Sequence, residues 1–132
     1  MKRLLAACAL VLPAASAYAA DERAPVPAQE LTLEQKTLLR CSAAFAIIAS
    51  EQARGVESAR AWPPLSERGK EFFVQSGARL MGELNLTQEQ VQALYRSEVG
   101  RLQNESGKAA DPKKMVAGIM QPCLLLLDAS GI

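Results

Sequence analysis

Residues 1–19 constrain this fold more than any other stretch, because they decide which cysteines the folded protein keeps and in which compartment. Lys2 and Arg3 open the chain with positive charge, and residues 4–15 form an uncharged, mostly apolar run. Ala17-Tyr18-Ala19 then supplies a small-x-small cleavage site. Together these read as a secretory signal peptide over residues 1–19, cut near Ala19, so that the mature chain folds in the periplasm or is secreted. Cys8 leaves with the leader, and Cys41 and Cys123 remain. In an oxidising compartment those two have one intramolecular partner each, and a Cys41–Cys123 disulfide is expected. Leu5-Ala6-Ala7-Cys8 also matches a lipoprotein cleavage site, but the stretch between Arg3 and Cys8 is too short for the apolar core of a leader. The apolar run is likewise too short to span a membrane, and no transmembrane segment is expected elsewhere.

The chain beyond the leader is long enough for one domain with a modest core. The formal net charge of +1 includes Lys2 and Arg3, so the exported chain is slightly acidic overall. A near-neutral surface gives no electrostatic reason to expect a nucleic acid or an anionic membrane as partner.

Residues 20–31, with Pro25 and Pro27 among small and charged residues, read as an extended or disordered tail. A single helical domain occupies residues 32–132. Thr32 with Gln35 forms a capping box for a first helix that Gly55 ends. Its middle, over residues 41–50, carries no charge on any side, which marks the most buried helix of the set. Residues 56–62 are a connector, and Pro63-Pro64 starts a second helix from about Leu65 to Leu84, with Gly69 and Ser76 placed for close backbone approach. Leu86-Thr87-Gln88-Glu89-Gln90 repeats the entry signal of the first helix and opens a third, with Val91, Leu94, Tyr95, Val99 and Leu102 on its apolar face. Asp111-Pro112 caps a fourth, which Pro122 is expected to kink or split. No segment alternates with period two over a strand's length. The expectation is an all-α fold, a small four-helix bundle or irregular helical array closed by one disulfide.

Candidate chemistry is sparse. The chain contains no histidine, which removes the commonest general base and the triads built on it. With both mature cysteines bonded, no thiolate is left for catalysis or metal binding. No phosphate-binding glycine loop or acidic calcium loop occurs, and no catalytic, cofactor or metal residues are assigned. Scattered carboxylates leave a carboxylate-dependent hydrolase as a remote reading.

Two anomalies stand out. Glu98 falls between Leu94, Tyr95 and Leu102, in the middle of an apolar face. It pairs with an arginine such as Arg79 or Arg40 or bends out to water at the rim, or else it is a pH-sensitive residue that loosens helix packing in acid. The second is surplus apolar surface at Ile47, Leu125 and Trp62, either covered by neighbouring helices or used for a partner, a second copy or an apolar ligand.

The favoured function is an exported, non-enzymatic protein-interaction module of the bacterial envelope, with its protein partner unspecified and a homodimer left open. In plan the chain also resembles the periplasmic acid-stress chaperones: small, exported, helical, with one long-range disulfide. That resemblance implies a holdase responding to acid.

Overall fold

Threonine caps set the starts of the two longest helices. In the computed structural model, which describes residues 30–132, α1 (Leu33–Ala53) begins where the Thr32 hydroxyl accepts from the Gln35 amide and the Gln35 side chain accepts from the Thr32 amide. Thr87 and Gln90 do the same for α3 (Gln88–Lys108). Each box satisfies two of the donors that a helix N-terminus leaves without an intrahelical partner. Asp111 accepts from the Lys114 amide at the start of α4 (Pro112–Ala129), with Pro112 in its first turn. The expected signal peptide and residues 20–29 of the expected tail lie outside the described residues. Of the rest of that tail, Leu31 is half-buried against a cluster built on Leu39 and Leu80.

α2 (Arg68–Leu84) starts later than the two prolines suggest. Leu65 is almost wholly buried, and its amide donates to the Gln52 side chain of α1 at 3.1 Å, so the chain is tied down there before it turns helical. The connector ahead of it contains a 3-10 turn, Glu57–Ala61. α2 ends through Asn85, which holds a left-handed backbone at φ 52°. That conformation costs Asn little and releases the chain toward buried Leu86.

Among the described residues there is no strand, and the four helices form a bundle-like array closed by the Cys41–Cys123 disulfide. α1 is central, burying Leu38, Leu39, Cys41, Ser42, Ala43, Ala44, Phe45 and Ile48. α2 runs antiparallel to it: Gln35 donates to Glu83 at one end, and Phe45 meets Phe72 edge-on at 5.3 Å nearer the other. Such an aromatic pair adds about 0.5–1.5 kcal/mol beyond its buried area. Gly69 lets the two helices come this close, because a Cβ there would lie 3.3 Å from that of Phe45. α3 returns alongside α1, with Val91 and Tyr95 in the Leu39–Leu80 cluster and Leu102 in the larger cluster around Phe45.

α4 lies across the others. It starts beside the C-terminal end of α3 and finishes where Asp128 accepts from Arg68 at the start of α2, at 2.8 Å. Met120, Cys123 and Leu127 are its buried residues. The helix runs unbroken through Pro122. The carbonyl that proline's ring would crowd belongs to Gly118, and both residues are exposed, so the freed acceptor faces water.

Candidate functional site

The crossing of α4 leaves a groove of about 620 Å³ between the C-terminal half of α1, the 3-10 turn, the end of α3 and the first half of α4. Ile47, Trp62, Met115, Val116 and Ile119 line it, and all five are only half-buried. Ile48, Leu102 and Met120 form its floor with far less exposure. Met115, Val116 and Ile119 follow the helical period of α4, and its neighbours cover them only in part. A concave, mainly apolar opening of a few hundred Å³ with a handful of polar groups has the physical character of a binding pocket.

Gln52 shapes one wall. Its amide nitrogen donates within 3.1 Å of the carbonyls of Ala59, Trp62 and Pro63, while its oxygen accepts from Leu65. One side chain thereby folds the whole connector back onto α1 and sets Trp62 against the groove. The sequence pattern places Gln52 on the apolar stripe of the first helix, and nothing there signals this role beyond a polar residue in an apolar row.

The polar groups lining the groove include Glu51 from the last turn of α1 and Lys113 from the first turn of α4. Glu51 is the one carboxylate in that lining, so the paired carboxylates that glycoside hydrolysis needs are not assembled there. Among the described residues, no group of three or more His, Cys, Asp or Glu side chains is arranged to hold a metal ion.

Glu98 lies away from the groove lining, on the α1 side of α3, and is 6% exposed. The structure supplies the cationic partners its position calls for. Arg101 donates to both carboxylate oxygens, one bond at 2.9 Å, and Arg40 of α1 lies at 3.5 Å. Glu105 closes the network, accepting from Arg40 and from Arg101 at 2.8 Å each. Of the two arginines expected as partners, Arg40 takes part. Arg79 instead pairs with Glu34 and Glu83 on the α1–α2 surface. Arg101, three residues along the same helix, is the partner sequence reasoning missed, although that spacing is itself a signal. The Arg40 guanidinium bonded to Glu105, with the charges of Arg40 and Arg101 behind it, holds the Glu105 carboxyl below the usual carboxylate range.

Of the three residues carrying surplus apolar surface, Ile47 and Trp62 come together in the groove, whereas Leu125 stands 72% exposed on α4 outside it. Cys41 and Cys123 are both buried in their bridge. No helix among the described residues is long and apolar enough to cross a membrane. Set against protein-family models, curated proteins and solved structures, the chain matches none.

Proposed function

We propose that this chain is an exported, non-enzymatic interaction module of the bacterial envelope, periplasmic or secreted after cleavage near Ala19. The groove between α1, α3 and α4 is its working surface, and it acts by seating the apolar groups of what it binds. One observation carries the reading: five large apolar side chains stay half-covered around about 620 Å³, in a fold where the starts of α1, α3 and α4 and the connector are tied by side-chain bonds. Leaving such surface open forgoes about 25 cal/mol per Å² of burial, which a domain of this size has reason to capture unless the surface is used.

The test is an apolar fluorescent dye, anilinonaphthalene sulfonate, added to the folded oxidised protein at neutral pH. Energy transfer from Trp62, the chain's only tryptophan, reports its place. Saturable one-to-one binding that Val116→Glu abolishes, with melting little changed, supports the reading. Absence of binding, or equal binding to the variant, overturns it.

A second reading has its own observation. The Glu98–Arg40–Arg101–Glu105 network ties α1 to α3, so weakening it would free apolar faces, as an acid-responsive holdase requires. Suppression of aggregation of unrelated clients in acid but not at neutral pH, with the threshold moved by Glu98→Gln, supports this; no suppression at any pH removes it.

A further inference from the structure

The floor of the groove offers nothing to a charge. Ala44, Ile48, Leu102 and Met120 are all buried there, and none carries an ionic group or a hydrogen-bond donor in its side chain. Among the described residues, the buried side-chain polar atom without a partner is Ser42 Oγ, and Ser42 does not line the groove. The polar groups that do line it keep their water: Ser58, Gln103 and Lys113 are exposed, and Glu51 and Ser106 are half-buried. The helix ends beside it are already served. Arg54 donates to the Ser50 carbonyl at the end of α1, and Asp111 accepts from the Lys114 amide at the start of α4. An ion or a hydrogen-bonding group carried to the floor would give up its water and gain no partner.

The space is short and broad. From Ala44 to Glu51 the α1 wall covers about two turns, or about 10 Å. A volume of about 620 Å³ over that length leaves a cross-section of about 60 Å², whereas one alkyl chain in van der Waals contact needs only about 20 Å². A single extended chain would therefore leave most of the width empty, and fused or linked rings would fill it. The walls suit rings as well. Trp62 offers an aromatic face, Met115 and Met120 offer thioethers, and sulfur packs well against ring edges. Ile47, Val116 and Ile119 are stiff at χ1, so a rigid guest and rigid walls lose little freedom on meeting. An opening of this length is also far smaller than the roughly 800 Å² per partner that a stable dimer buries, which argues against a second copy as the occupant.

Resting on the reading of the groove as the working surface, we propose that it is a binding site for an uncharged, ring-built apolar small molecule. The rings lie over Ile48, Leu102 and Met120 between Trp62 and Met115, and any polar substituent of the ligand points out to the wet rim.

The probe is N-phenyl-1-naphthylamine, the uncharged counterpart of anilinonaphthalene sulfonate with the same rings, titrated into the folded oxidised protein and read by the rise of its own emission. It is expected to bind one-to-one and about tenfold more tightly than the sulfonate. 1-Decanol, an uncharged chain of comparable apolar content, should displace it only at about tenfold higher concentration than the probe itself requires. Val116→Trp, at a half-covered position, should fill the groove and abolish binding with melting little changed. Glu51→Gln and Lys113→Gln should leave the affinity within about twofold, because both groups stay in water. If the sulfonate binds as tightly as the neutral dye, or either of these two variants weakens the neutral dye more than that, a charge decides and the proposal falls while the groove keeps its role. Displacement by decanol at equal concentration overturns the preference for rings, and unchanged binding to Val116→Trp overturns the placement. Binding of the sulfonate with none of the neutral dye also overturns the proposal. Failure of both dyes removes the underlying reading too.

Discussion

Glu98 occupies a place on α3 that a plain amphipathic helix would give to leucine, and it stays there because two guanidinium groups reach it from different helices. Removing its charge leaves Arg40 and Arg101 sharing Glu105 alone, at a site where Glu98 is largely out of water. Glu98→Gln is expected to cost about 1–3 kcal/mol in denaturant unfolding at neutral pH. Arg101→Gln, whose side chain is half-exposed, should cost under about 1 kcal/mol. Equal costs would mean that burial is not what gives the network its weight. Glu105 fixes the pH window of its own contribution. Its carboxyl is held below the usual range by Arg40 first, so the native state takes up that proton less readily than the unfolded chain. The contribution is complete above the unfolded value of about 4.3 and is lost as pH falls through the lower folded value. Denaturation midpoints should therefore hold level down to about pH 5 and drop below about pH 4, less steeply in Glu105→Gln. A fall that is already complete by mild acid, and unaffected in Glu105→Gln, would place the titration elsewhere.

Glycines separate the helix elements into those that touch and those that do not. In α2, Gly69 faces the α1 backbone, where an added Cβ would sit 3.2 Å from that of Leu65 and 3.3 Å from that of Phe45. Neither atom is the tip of a flexible side chain. Gly82, on the same helix, has nothing within 4 Å of such a Cβ. The same change should thus have opposite signs. Gly82→Ala is expected to stabilise by about 0.5–1 kcal/mol through helix propensity, and Gly69→Ala to destabilise by about 1 kcal/mol or more through overpacking. Thermal melts of the two variants decide it, and two shifts of one sign would show that α1 and α2 can slide to make room. The close approach at Gly69 was legible from its place on an apolar face, as were the boxes at Thr32 and Thr87 and the Asp111-Pro112 start, because these signals act over three or four residues. The start of α2 was not legible, since it depends on Gln52, far back in the chain, holding Leu65 and the carbonyls of the connector. Met120 was missed for a related reason: its burial is set by the angle at which α4 crosses α1, and periodicity along one helix carries no crossing angle.

At the scale of the whole molecule, one covalent bond and one crossing helix are linked. Cys41 and Cys123 were readable as partners because the chain beyond the expected leader offers no other choice, and they join positions 82 apart. The groove was readable only as residues with no evident cover, Ile47 and Trp62 among them. What assembles it is the path of α4 from the end of α3 to Arg68. In the N-terminal half of α4, Met115, Val116 and Ile119 pack against the core yet remain half-covered, while Met120, Leu127 and the bridge are buried. In the chain-entropy limit a loop of this length is worth about 4–5 kcal/mol, comparable to the whole net stability of about 5–15 kcal/mol for such a domain. Replacing both cysteines by alanine should then lower the melting temperature by about 15 °C or more. It should also act unevenly. Amide exchange is expected to quicken first in α4, ahead of α1, which packs on every other element, and dye affinity should fall at temperatures where α1 to α3 remain helical. If exchange instead rises uniformly and the groove keeps its affinity until global unfolding, then α4 is held by its own apolar contacts, and the disulfide braces the fold without shaping the site.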